Sequence, residues 1–381
     1  MHLQSIPLAR LAVGLGQGAA LWYLQRAFDA ESWPATDAFV FAPLLTVATL
    51  VPIIVVAGLG HMRARTLAVW TVVASVICAG LAVYDIFRDP TGVMRAFQNV
   101  PGPALWLALI GMLFISHSLI VAGDADRKLV ADYSRHFDVS WKLAVQLALA
   151  AGFVAVFWGV LWLGAELFRL IRIEFFADLI KRRWFWIPVT TLVLSYALHT
   201  MDVRAGMVRG TRTLALTLLA WLLPVMALIT LGFLAALPFT GLQPLWDTRH
   251  ATALLLIAAG VVVFLINAAY QDGQPQEQAA RVVRYAGTAA AIALVPLVAL
   301  AAYGLQLRIA QYGWTPDRVL ACACIVVAAC YTIGYAAAAL RPGPWLKWLE
   351  TTNVSTALVI VAALLLLSTP IADPAGSRAA T

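Results

Sequence analysis

Charge is scarce in this chain. Asp, Glu, Lys and Arg together make up 12% of its 381 residues, against about 25% in an ordinary soluble domain. Long polar stretches are missing as well. The longest connection between apolar runs, Ala122–Trp141, is 20 residues, and a folded domain needs roughly 50. An extramembrane nucleotide-binding, kinase or DNA-binding domain therefore has no place within the sequence. No Walker loop, dinucleotide fingerprint, zinc-protease helix or nucleophile elbow occurs either. Cysteine is limited to Cys78, Cys322, Cys324 and Cys330, all inside apolar stretches where they pack as small hydrophobes. The last three lack zinc-site spacing and a nearby His, so neither a metal nor a cofactor is expected.

What the chain does have is length without charge. Ten stretches of 18 or more residues contain no Lys, Arg, Asp or Glu, and about 20 apolar residues in a helix cross the hydrocarbon core of a bilayer. Hydrophobic residues make up 62% and mean hydropathy is +0.86. No segment alternates apolar and polar residues as an outer-membrane strand does. The expected fold class is all-α, a polytopic transmembrane helical bundle of about 11 spans. These are Pro7–Leu24, Phe39–Leu59, Thr66–Tyr84, Pro103–Val121, Lys142–Ala165, Trp184–Thr200, Thr213–Ala236, Ala251–Tyr270, Tyr285–Leu305, Val319–Leu340 and Val354–Leu367. Residues 1–368 are expected to form a single transmembrane domain with an interfacial segment at 166–185, and 369–381 a short, disordered polar tail. The first span is the weakest, because only 15 uncharged residues separate Arg10 from Arg26. It has no small-residue cleavage site and reads as a retained span rather than a signal peptide. Trp33, Trp141, Trp184, Trp186, Trp246, Trp314, Trp345 and Trp348 fall at span ends, at headgroup depth. Trp158, Trp162 and Trp221 fall within spans and read as packing residues.

The net charge of +7 does not point to nucleic acid. Basic residues come in ones to fives between apolar runs, as loops facing anionic lipid would carry them. With the N-terminus placed in the cytoplasm, that side holds 14 Lys and Arg and the other 12. Five of the 12 lie in 166–185; setting that segment aside leaves 14 against 7. The expectation is a multi-pass protein of the bacterial inner membrane with a cytoplasmic N-terminus. The segment from Leu167 to Arg183 is too charged to span and too apolar for a solvated loop. Its polar residues do not share one helical face. It reads as a surface elbow docked on other helices, with Arg169, Arg172, Glu174 and Asp178 as its interfacial docking residues.

Ionisable and polar groups at membrane depth are costly and so are functional candidates. The sixth span closes on His199, Asp202 and Arg204. His199 and Asp202 share a helix face, so the carboxylate is placed to orient the ring or raise its pKa, as a proton relay requires. The structural alternative is a helix end whose polar groups meet headgroups and loop backbone. His117, deeper in the fourth span, is either a relay or ligand residue or a neutral His bonded between helices. Gln146 and Asn267 are expected to form interhelical hydrogen bonds. Arg10 either snorkels to the interface or pairs with an acid such as Glu166. Pro52, Pro188, Pro224 and Pro296 mark kinks. The small-residue pairs Gly14/Gly18 and Ala148/Gly152 and the series Cys330/Gly334/Ala338 mark close helix contacts.

Several phrases give the chain a resemblance. They include Trp33-Pro34-Ala35-Thr36-Asp37, Glu174-Phe175-Phe176-Ala177-Asp178, His199-Thr200-Met201-Asp202-Val203-Arg204, Asn267-Ala268-Ala269-Tyr270-Gln271-Asp272-Gly273 and Tyr312-Gly313-Trp314-Thr315-Pro316-Asp317-Arg318. In these the chain resembles the bacterial integral-membrane family labelled domain of unknown function 4153, over nearly its whole length. The resemblance implies a location and a topology class and assigns no activity. Members of that family look longer, continuing past the last span into a soluble stretch. The resemblance therefore implies a short form, a frameshift product or a separated half.

Three functions fit these features. The leading one is a gradient-driven transporter of a small solute or ion, since no ATP-hydrolysing domain is present. The alternative is a non-catalytic sensor, assembly or anchoring partner of another protein. Third is a membrane enzyme. Its catalytic residues are not assigned, and only His199, Asp202 and Arg204, with Asp85 or Asp178, come near a cluster. The lipid bilayer is the one partner all three share.

Overall fold

The structure, a computed structural model, describes residues 5–88, 99–243, 245, 248, 250–274 and 279–370. The described residues form twelve helices and no strand: α1 (Ser5–Asp29), α2 (Ala38–Gly58), α3 (Ala64–Arg88), α4 (Pro103–Asp126), α5 (Tyr133–Leu170), α6 (Phe175–Lys181), α7 (Arg183–Val203), α8 (Ala205–Thr240), α9 (Ala251–Tyr270), α10 (Arg281–Tyr312), α11 (Pro316–Leu340) and α12 (Leu349–Leu367). Trp246 and the tail beyond residue 370 lie outside the described residues.

Helix limits follow local chemistry. The Asp37 side chain accepts a hydrogen bond from the Phe39 amide and starts α2. Proline occupies the first turn of α4 and α11, where its missing N–H costs nothing. Gly313, at φ 72°, ends α10 in a backbone conformation that side chains disfavour.

Nine described helices are long and apolar enough to cross a membrane: α2 to α5 and α8 to α12. The sequence counts two more, in α1 and α7. These are 25 and 21 residues long, but polar groups interrupt them. In α1 those groups face inward: Arg10 is 2% exposed and Gln17 6%, and Gln17 Nε2 donates to the Thr49 carbonyl at 2.9 Å. Outward faces are the reverse. On α8, Leu214, Leu218, Trp221, Leu222, Val225, Leu228 and Ile229 are all exposed, a stripe that lipid solvates and water does not. Trp221 and Trp162 thus face outward instead of packing, whereas Trp158 Nε1 donates to Thr190 Oγ1 at 3.1 Å.

The helices pack as two units, residues 1–131 with 139–211, and residues 132–138 with 212–381. In the first, α1 pairs with α7 and α2 with α3, and α1 also packs on α2. Gly14 and Gly18 make the α1–α7 seam: a Cβ on Gly14 would strike Ser195, and one on Gly18 the backbone of Pro188. The spacing marks a close contact here, as it does for Gly334 against Thr352 of α12. It does not at Gly152, which has nothing near its missing Cβ. Pro52, Pro188, Pro224 and Pro296 all lie inside helices, joined by Pro43 and Pro238.

Contacts within this unit sort the helix ends into two sides. Arg63, after α2, pairs with Asp124 near the end of α4, and Lys142 near the start of α5 meets His61, also after α2. On the other side Arg183 pairs with Asp29 and Asn99 donates to the Ala35 carbonyl at 2.6 Å. This alternation is what successive membrane crossings require.

The segment 171–182 turns between α5 and α7 around the seven-residue α6. Ala177 and Ile180 are buried with Ala165, and Trp158, Leu161, Phe176 and Phe185 pack around them. In the second unit α9, α10 and α11 stack in order and α12 packs on α11. Half of the apolar window of α10 is buried, against 11% in α11 and α12, so α10 is the central helix and the other two are its rim.

Candidate functional site: a charge cluster on Asp202

The apolar run of α7 ends at Thr200, and the chain then places Asp202 in the last turn, beside α1, α5 and the segment after α2. Arg10 Nη2 donates to Asp202 Oδ2 at 2.9 Å and to the Leu59 carbonyl at 2.6 Å. Lys142 Nζ donates to Oδ1 at 3.1 Å, and Gln146 Nε2 reaches the same oxygen at 3.4 Å. His61 Nε2 lies 2.9 Å from Oδ1 and 2.7 Å from Lys142 Nζ. One carboxylate thus ties together four separate pieces of chain.

Arg10, almost wholly buried, is neutralised by Asp202 and not by Glu166, which pairs with Arg169. Burial alone would raise the Asp202 carboxyl, but the hydrogen bond and charge of His61, with Lys142, outweigh it and hold the group well below the usual carboxylate range. Asp202 is therefore held as a negative charge in this arrangement, against Arg10 and Lys142. The role of His61 Nε2 follows its tautomer: carrying the ring proton it donates to Asp202, and without that proton it accepts from Lys142. The buried Nδ1 has no hydrogen-bond partner among the described residues.

The other sequence candidates divide. His199 does not bond Asp202; its Nδ1 lies 3.4 Å from Arg10 Nη1. A guanidinium only donates, so a hydrogen bond there requires that ring nitrogen to accept. Arg204 ends α7 and is exposed. His117 is 3% exposed, and Trp70 Nε1 donates to its Nδ1 at 3.2 Å. An indole N–H also only donates, which makes His117 a neutral ring bonded between α3 and α4. Asp85 holds Arg88 and the Gly102 amide, each at 2.8 Å, and takes no part in the Asp202 cluster. Of the elbow residues, Arg169 bonds Glu166 at 2.6 Å, Arg172 has φ 62°, Glu174 precedes α6, and Asp178 is exposed on its outer face.

Asn267 belongs to a second cluster, within the other unit. Its amide nitrogen donates to Tyr335 Oη at 2.7 Å and to the Val263 carbonyl at 2.9 Å. Its oxygen accepts from Asn353 Nδ2 at 2.5 Å and from Tyr133 Oη at 3.4 Å. Tyr335 Oη donates to Asn353 Oδ1 at 2.7 Å, closing a neutral ring. Nearby, Tyr270 Oη donates to Glu350 at 2.7 Å.

Sequence reasoning missed His61 and Lys142 at the Asp202 cluster, and Tyr133, Tyr335 and Asn353 here. His61 and Lys142 sit at span ends and look like headgroup residues one at a time. The available signal was that alternating crossings put the ends of spans two and six and the start of span five on one side.

Long apolar helices with inward-facing polar clusters define an all-α, multi-pass membrane protein. The family model described as Domain of unknown function (DUF4153) matches residues 18–380, and the chain belongs to that family. No curated protein and no solved structure matches it.

Proposed function

We propose that the protein is a gradient-driven transporter of a small solute or ion, with the Asp202 cluster as the latch that holds one face of the first unit closed. The supporting observation is that a single carboxylate binds cations from α1 and α5 and a His from the segment after α2. Separating those elements removes the cations from Asp202. Its proton affinity then returns towards that of an ordinary carboxylate, and every unit of difference couples opening to the proton gradient by about 1.4 kcal/mol. The open form therefore binds a proton on Asp202 more tightly than the closed form does. That asymmetry is what lets a proton gradient drive a conformational cycle.

The test is flux in proteoliposomes carrying an internal pH dye, screened against a panel of metabolites and ions. A solute-dependent proton flux is expected from the native protein and from Arg65→Ala, an exposed change outside the cluster, but not from Asp202→Asn. Folded native protein that moves no proton with any solute would overturn the reading and favour the non-catalytic partner.

A further inference from the structure

The second unit contains a basic pocket that the Asp202 reading does not use. It is a concavity of about 350 Å³ between the start of α10 and the end of α11, lined by Arg281, Arg284, Arg341, Tyr285, Thr288 and Trp345 among others. Among the described residues, none of its lining side chains is acidic. Arg281 and Arg341 are exposed. Neither makes an ion pair among the described residues, and Arg341 lies over the Trp348 ring at 3.6 Å from its centroid.

The pocket is braced on its inner wall. Gly287 leaves room for the Trp345 indole, which a Cβ there would meet at 2.8 Å. Trp345 Nε1 donates to Thr288 Oγ1 at 3.2 Å, and the Arg284 guanidinium lies 5.9 Å from the indole centroid. The indole thus fixes the floor and one cation, while Arg281 and Arg341 rim the opening. Arg281 is also the first residue of α10, whose N-cap residue, Ala280, makes no side-chain capping bond. The positive end of a 32-residue helix therefore adds to the field of the three guanidiniums.

We propose that this pocket binds the phosphate of an anionic phospholipid headgroup. Charge and shape carry the assignment. Guanidinium forks match phosphate oxygens in pairs, the volume suits a headgroup, and Trp345, Trp348 and Tyr285 supply the amphipathic rings that sit at headgroup depth. Basic pockets between helix ends at a membrane surface hold lipid phosphates by the same chemistry. A phosphate reaching the site from water would meet the same three cations, so lipid and soluble sources must be separated by experiment.

The experiment titrates the purified full chain in detergent with phosphatidylglycerol, phosphatidylcholine or inorganic phosphate, counting bound lipid by native mass spectrometry and following thermal unfolding. Phosphatidylglycerol should bind and raise the unfolding midpoint, with phosphatidylcholine weaker. The Arg281→Ala/Arg341→Ala variant should bind phosphatidylglycerol about 30-fold more weakly, from about 1 kcal/mol per arginine near anionic lipid. Arg281→Lys/Arg341→Lys, which keeps the charge, should recover much of the loss, and Arg65→Ala in the other unit should bind as the native chain does. Equal binding of the two lipids, unchanged affinity in the alanine variant, or stabilisation by inorganic phosphate as strong as by the lipid would each overturn the proposal.

Discussion

Arg10 and Asp202 are 192 residues apart in sequence and 2.9 Å apart in space. Arg10 is nearly inaccessible and Asp202 one-fifth exposed. Deleting the acid would leave a buried guanidinium with only the Leu59 carbonyl and the His199 ring beside it, and no counter-charge. Asp202→Ala should therefore lower stability by about 2–4 kcal/mol, towards the lower part of the range because the carboxylate is not fully buried. Arg10→Met combined with Asp202→Ala should cost less than the sum of the two single changes. Thermal unfolding in detergent of the four proteins decides it; strict additivity would mean that the pair contributes nothing to the fold.

Three glycines in α1 should respond differently to one methyl group. Gly18→Ala meets the backbone of Pro188 and Gly14→Ala meets Ser195, while Gly16 has open space. The first two should destabilise by about 1–3 kcal/mol through overpacking. Gly16→Ala should be neutral or slightly stabilising, by up to about 1 kcal/mol of helix propensity. Unfolding midpoints check the order, and a Gly16→Ala variant as damaged as Gly18→Ala would contradict the α1–α7 seam.

The Asn267–Asn353 pair should behave as one object. Removing either amide strands groups on Tyr335 and Tyr133. Asn267→Leu should cost about 1–2 kcal/mol, near the upper end of hydrogen-bond energies measured in membranes. Adding Asn353→Leu should cost little more. A second loss as large as the first would show that the two amides act independently.

His117 should carry its proton on Nε2, because Trp70 donates to Nδ1. Nitrogen NMR of the ring reads this directly. Trp70→Phe removes the donor and should change the Nδ1 signal; an unaffected ring would remove the assignment.

Sidedness is testable by cysteine labelling in a background free of native Cys. Arg65→Cys and Arg127→Cys should react with an impermeant maleimide from one side, Glu31→Cys and Arg182→Cys from the other. Labelling of Arg65→Cys and Glu31→Cys from the same side would break the alternation inferred from the helix-end contacts.

Much of the fold was legible because a bilayer demands one thing of sequence, a run without charge, and α2 to α5 and α8 to α12 supply it. The same rule reads α1 and α7 poorly. Arg10 and Gln17 look like interruptions until their partners Asp202 and Thr49 are seen, and those lie on other helices. The candidate site was half legible for the same reason. His199 and Asp202 share a face of one helix and invite pairing, yet Asp202 turns to Arg10, Lys142 and His61, because a partly buried carboxylate gains most from fixed cations and those lie on other elements. Asn267 was visible as a polar residue in an apolar run. Tyr133 was not, since α5 begins nine residues before Lys142, where the expected span starts.

The seam between α1 and α7 also sets an order of events at the ribosome. The first helix leaves with an arginine that has no counter-ion until about 192 more residues have been made, roughly 10–40 s at ordinary rates of synthesis. The acid that neutralises Arg10 and the residues that seat Gly14 and Gly18 all lie on α7, so none of these contacts can form before α7 has been made. The α1–α7 seam therefore closes after α2 to α5 have left the ribosome.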